Sequence, residues 1–230
     1  MGRSEKGPSK RKVEMNWVVR TLSSSVGKKQ LMAVTGMLFL LFLAVHLIGN
    51  LTIYGGVPAF NAYVDKLHGL GALLTVAEVV MLLAALIHIT TAVILFLENR
   101  RARPVKYAVD KSGGGGRTFS SRTMPYTGLL ILLFVGVHLA TASRFFTDRT
   151  AKTTFQILTE IFSHKGYIAF YLVAMVIVAF HVRHGLWSAF QTVGANHPKY
   201  MPFIEKLSIV FAFIVGIGFG SLPLAISFMK

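Results

Sequence analysis

Hydrophobic and polar positions alternate along this chain in long blocks, not in a short period. Apolar runs of about 20 residues, the length that crosses a bilayer's hydrocarbon core, occupy 31–53, 70–97, 124–143, 166–190 and 207–229. Water cannot satisfy backbone N–H and C=O groups there, so each run has to be a helix. The pattern predicts an all-α, polytopic membrane protein with five transmembrane helices over 31–230, preceded by a basic segment at 1–30. The first run is longer than a signal-peptide core and no small-residue cleavage pattern follows it, so it is expected to remain as a span.

Composition agrees with this reading. The 230 residues are 53% hydrophobic and 14% charged, against roughly a quarter charged in soluble domains. The net charge of +15 is gathered between the runs, so it marks loops in contact with lipid and water; no nucleic-acid face is expected. Eight Lys and Arg precede the first run (Arg3, Lys6, Lys10, Arg11, Lys12, Arg20, Lys28, Lys29) and seven lie in 98–123. The positive-inside rule puts both segments in the cytoplasm. The loop after the first run has only Lys66, and the one after the third mixes Arg144, Arg149, Lys152 and Lys165 with Asp148 and Glu160. These become the outer loops of a cell inner (cytoplasmic) membrane protein, with the N-terminus cytoplasmic and the C-terminus outside. Cysteine is absent, which excludes disulfides, Cys-ligated zinc, Fe–S clusters and covalent CxxCH haem attachment.

Ser112 and the run Gly113–Gly116 form an expected hinge that divides the chain into two similar halves. Thr35 to Leu47 reads TGMLFLLFLAVHL and Thr127 to Leu139 reads TGLLILLFVGVHL, an offset of 138 − 46 = 92. The second run of each half also contains a histidine, at an offset of 181 − 88 = 93. Two parallel copies of a helix pair are then related by an axis along the membrane normal, which sets equivalent histidines opposite one another.

Depth sorts these histidines into two layers. At 1.5 Å per residue, His46 is roughly 26 Å from Lys29 and His138 roughly 24 Å from Arg122, in the outer half. By the same rise, His88 is roughly 18 Å from Arg100 and His181 roughly 20 Å from Gly194, nearer the cytoplasm. Two His pairs stacked in a four-helix bundle are what two bis-His b-type haems require. A lone intramembrane histidine is commonly a helix-packing hydrogen bonder, but one per helix, paired by depth and by repeat, points to ligation. Separated pairs also lack the four close ligands of a zinc site. His184, three residues after His181, is a second candidate for the fourth ligand; the repeat favours His181 and leaves His184 free to bond a haem propionate or to tether the cytoplasmic rim. His68, His164 and His197 fall at span ends or in a loop and are expected in interfacial or solvated roles.

Glu78 is the one carboxylate well inside a run, on the outer side of His88, placed either to exchange protons with a quinol or to bond a neighbouring helix. Arg144 suits either an outer propionate or a snorkelling anchor. Gly216, Gly218 and Gly220 give the fifth run a small face for close packing. Lacking histidine, that helix is expected to be peripheral to the haem-binding bundle.

Gly27-Lys28-Lys29, Thr35-Gly36, His46-Leu47-Ile48-Gly49-Asn50, Ala59-Phe60-Asn61, and His181 followed by Gly185-Leu186-Trp187-Ser188-Ala189-Phe190-Gln191-Thr192 carry a resemblance. From about Ser23 onward the chain resembles the cytochrome b subunit of succinate:quinone oxidoreductases and fumarate reductases, of the single-polypeptide, five-helix, di-haem kind. The resemblance implies axial ligation by His46 and His138 at a distal haem and by His88 and His181 at a proximal one. It also implies a flavoprotein and an Fe–S subunit on the cytoplasmic face, and a quinone, menaquinone by the family pattern, near the outer side. Respiratory electron transport linked to the tricarboxylic acid cycle, in either direction of succinate–fumarate turnover, follows from it. Some di-haem relatives place a glutamate two residues before the fourth ligand as a proton path, where this sequence has Ala179. Rival readings are a hydrogenase- or formate-dehydrogenase-type di-haem cytochrome b, a transporter with histidines lining a proton or metal path, and a purely structural anchor.

Overall fold

The computed structural model describes residues 10–102, 119–147 and 151–229. The predicted Ser112–Gly116 hinge, Arg3, Lys6, Asp148 and Arg149 lie outside the described residues. Eight α-helices follow one another: α1 Lys10–Ser23, α2 Ser25–Leu51, α3 Val57–Gly69, α4 Ala72–Arg101, α5 Phe119–Ala142, α6 Thr154–Ser163, α7 Lys165–Thr192 and α8 Met201–Phe228. Among them α2, α4, α5, α7 and α8 are long and apolar enough to cross a membrane, which agrees with the five predicted runs. The helix α2 begins before its apolar run because Ser24 caps it, its hydroxyl accepting from Gly27 N at 3.0 Å. Such a cap satisfies one of the N–H groups that the first turn leaves without a partner.

Three of the helices, α1, α3 and α6, lie in segments expected as loops. The outer pair are built by local chemistry. A turn Thr52–Gly55 leads through Gly56, at φ +91°, into α3, and Gly71, at φ +54°, turns the chain back into α4. Glycine adopts these angles without a Cβ penalty. Thr153 opens α6 with a capping box, accepting from Gln156 N while the Gln156 side chain accepts from Thr153 N. Both helices pack on the membrane ends of α7 and α8 through a cluster that includes Ile53, Phe60, Ile157, Phe162, Tyr171 and Ile226.

Within the membrane region α2 lies beside α4, α5 beside α7, and α2 beside α7, whereas α4 and α5 barely touch. The two halves are therefore joined on one side of the bundle only. Outward-facing leucines of α4 and α5, such as Leu82, Leu83, Leu129 and Leu133, are exposed, as side chains that meet lipid should be.

The histidine-free α8 stands outside the His-bearing four, as expected, but is not loosely held. It runs along α7 and α2, with Ser208, Val215 and Pro223 fully buried. Its glycines make this possible. A Cβ at Gly216 would lie 3.0 Å from the Ala179 Cβ, and one at Gly218 would lie 2.8 Å from Leu47 Cδ2. Ala179 is thus part of the α7–α8 seam.

Candidate functional site

Two of the candidate histidines come together in one layer. His46 on α2 and His138 on α5 face each other with ring centroids 6.2 Å apart and planes at 79°. Each ring lies against a phenylalanine four residues earlier on its own helix: Phe42 at 5.1 Å and 14° from His46, and Phe134 at 5.7 Å and 24° from His138. These phenylalanines are repeat equivalents, 134 − 42 = 92. Beyond them the two histidines differ. Phe219 of α8 packs against His46 at 5.4 Å, and Asn50 Nδ2 is 3.4 Å from His46 Nδ1 while donating to His46 O at 2.8 Å. His138 Nδ1 is instead 3.3 Å from the Tyr171 hydroxyl.

The inner layer is more symmetric. Thr35 Oγ1 of α2 is 3.0 Å from His88 Nδ1 on α4, and Thr127 Oγ1 of α5 is 3.0 Å from His181 Nδ1 on α7. The adjoining glycines open the way for each ring. A Cβ at Gly36 would lie 3.5 Å from His88 Cε1, and one at Gly128 would lie 3.6 Å from His181 Cε1. His184 turns elsewhere, its ring 6.0 Å from Trp187. The structure therefore gives His181, and not His184, the partner that matches that of His88.

Glu78 and Arg144, considered separately from the sequence, meet at the outer end of the α4–α5 seam. Arg144 Nε donates to Glu78 Oε1 at 2.9 Å and to Oε2 at 3.2 Å; Arg144 Nη2 donates to the same Oε2 and to Thr75 Oγ1, the latter at 3.0 Å. The carboxylate holds the Arg144 guanidinium above its ordinary pKa, chiefly through these hydrogen bonds. This pair ties together two helices that otherwise barely meet. At the opposite end Lys28 pairs with Glu98, joining the start of α2 to the end of α4. His164 adjoins Tyr167, and His197 Nδ1 accepts from Lys199 N at 3.2 Å, local roles consistent with span ends and loops.

The geometry suits a group that needs two axial ligands and brings the rest of its coordination with it. Among the described residues no three His, Asp or Glu gather as they would around a bare metal ion; the histidines come in twos. Two metal–nitrogen bonds of about 2 Å each, added to the half-widths of two imidazoles, fill the separation of His46 and His138. All four Nδ1 atoms point at protein partners, and no Nε2 has a hydrogen-bond partner among the described residues. Phe42, Phe134, Thr35 and Thr127 were not named as site residues from the sequence, although the repeat contains all four.

Among curated proteins, the chain is similar to the succinate dehydrogenase cytochrome b558 subunit of Bacillus subtilis (strain 168). The two are 26% identical over 155 residues, which make up 67% of this chain and 72% of that protein. No family model and no solved structure matches the chain.

Proposed function

We propose that this chain is the di-haem cytochrome b anchor of a succinate:quinone oxidoreductase, complex II. His46 and His138 hold the distal haem, and His88 and His181 hold the proximal one. The observation that carries this reading is the opposed His46 and His138 rings, 6.2 Å apart with Nδ1 of each turned into the protein. The similarity to a succinate dehydrogenase cytochrome b subunit supports the assignment to complex II over other di-haem cytochromes. When bound, the two haems supply one-electron carriers stacked across the membrane.

The chain's own residues orient and insulate these carriers. Phe42 and Phe134 fix the tilt of the distal ligands by ring contact, and Thr35 and Thr127 hold the proximal ligands by hydrogen bonds. Phe219 and the outer helices α3 and α6 cover the distal layer from the side and from above. Glu78, steadied by Arg144, is assigned proton exchange with a quinol, menaquinol in this reading, at the outer side. Arg144 is also assigned a contact with a haem propionate. On the cytoplasmic side the basic ends of α2, α4 and α5 offer a docking surface to an Fe–S subunit that in turn carries a flavoprotein. The transporter reading would need a path lined by more than one intramembrane carboxylate, and the runs contain only Glu78. Purification in mild detergent tests the assignment. A flavin-containing and an Fe–S-containing protein should accompany the chain in equal amounts; recovery with a hydrogenase or a formate dehydrogenase, or without redox partners, contradicts it.

A further inference from the structure

Two threonines in the inner layer have hydroxyl hydrogens that are already engaged. Thr35 Oγ1 donates to Leu31 O at 2.8 Å, with Met32 O at 3.2 Å, and Thr127 Oγ1 donates to Thr123 O or Met124 O at 3.2 and 3.1 Å. A hydroxyl has one hydrogen and two lone pairs. Once that hydrogen is directed along its own helix, only a lone pair can face the neighbouring imidazole. The Nδ1 atoms of His88 and His181 must therefore carry the hydrogen and donate it to threonine. With hydrogen on Nδ1, the lone pair of each neutral ring is at Nε2.

We infer that Thr35 and Thr127 are paired positioning residues that set the tautomer and the basicity of both proximal haem ligands, and through them the proximal potential. This rests on the haem reading above but adds to it a redox-setting role for residues that touch no haem iron. An acceptor on the distant nitrogen of a ligating imidazole fixes ring orientation and strengthens it as a donor. Stronger donation favours the ferric over the ferrous state and lowers the potential. The outer layer has this device on one side at most. The Tyr171 hydroxyl, 3.3 Å from His138 Nδ1, can accept from it. At His46 the neighbouring atom is an amide nitrogen, Asn50 Nδ2, already donating elsewhere. The inner layer is therefore the one in which both ligands are tuned, and by the same residue type.

Thr35→Val and Thr127→Val keep the branched shape and remove the acceptor; Thr→Ser at each site restores it. The test is a redox titration and a haem assay of the intact membrane complex carrying each change and the double change. The proximal component is identified as the one that vanishes in His88→Ala. The expected result is a positive shift of the proximal potential in each valine variant, larger in the double, with the distal potential unmoved and near-normal behaviour in the serine variants. Where the unsatisfied ring turns away instead, proximal haem retention should fall by about 10–100-fold, again reversed by serine. Unchanged proximal potential and occupancy in the double valine variant, or a shift confined to the distal component, overturns the inference and leaves the cytochrome reading standing. Absence of haem from the unaltered complex removes both.

Discussion

The two histidine layers are built from one duplicated segment but held by different forces. In the outer layer each histidine leans on a phenylalanine of its own helix, and its remaining neighbours differ between the halves: Asn50 and Phe219 at His46, Tyr171 at His138. In the inner layer each histidine is bonded across the hairpin by a threonine, with the same 3.0 Å spacing in both halves. The contrast follows from what surrounds each layer. Outside the repeat, α3, α6 and α8 converge on the outer end, where their unlike sequences break the symmetry. At the inner layer the hairpin supplies both partners itself, so duplication reproduces the contact.

The largest expected effect breaks the layers apart. His88→Ala or His181→Ala should remove the proximal haem and keep the distal one, while His46→Ala or His138→Ala should do the reverse; haem content and the reduced spectrum of each variant read this out, and a crossed pattern would dissolve the pairing. Next in size is Gly218→Leu. The added side chain meets Leu47, the neighbour of His46, within 2.9 Å even at its Cβ. Overpacking of this kind costs about 1–3 kcal/mol. Thermal stability should fall and the distal spectrum should change before the proximal one does.

Smaller still is Glu78→Gln, which removes the charge facing Arg144 at the outer end of the seam. Quinol oxidation should slow with both haems retained, and unaltered quinone kinetics would reduce Glu78 to a helix tie. The smallest effect belongs to the outer surface, where Lys152 bonds Glu160 at 2.5 Å and holds its carboxyl below the ordinary value, first through that hydrogen bond and then through its charge. A lowered folded-state pKa means that whatever the pair adds is present above the ordinary carboxylate pKa and is lost as pH falls through the lowered one. Lys152→Ala should therefore lower the melting temperature slightly at neutral pH, by an amount that disappears as pH falls through the acid limb.

How far the sequence discloses this architecture depends on the scale of the signal. The five spans are legible because lipid demands an uninterrupted apolar run, and α2, α4, α5, α7 and α8 coincide with those runs. The outer pairing of His46 with His138 is legible from repeat and depth. Missed were α3 and α6, too short and too polar for a span-length window, although the Thr153–Gln156 capping box was present to be read. Span counting also left α8 peripheral, because burial against α7 depends on Gly216 meeting Ala179, a match between two helices that neither one displays alone. Glu78 and Arg144 appeared as separate candidates since they stand 66 positions apart in the sequence. The threonines were in plain view within the repeat, yet hydroxyls in a span read as helix back-bonding until the structure sets an imidazole beside them.

The central claim is that two haems are gripped between these four helices, one per histidine pair. Its most direct test is the haem-to-protein ratio of the purified complex, taken with the reduced-minus-oxidised spectrum. The account predicts two b-type haems for each copy of the chain, separable by potential. A ratio of one, or a chain that carries none, would contradict it.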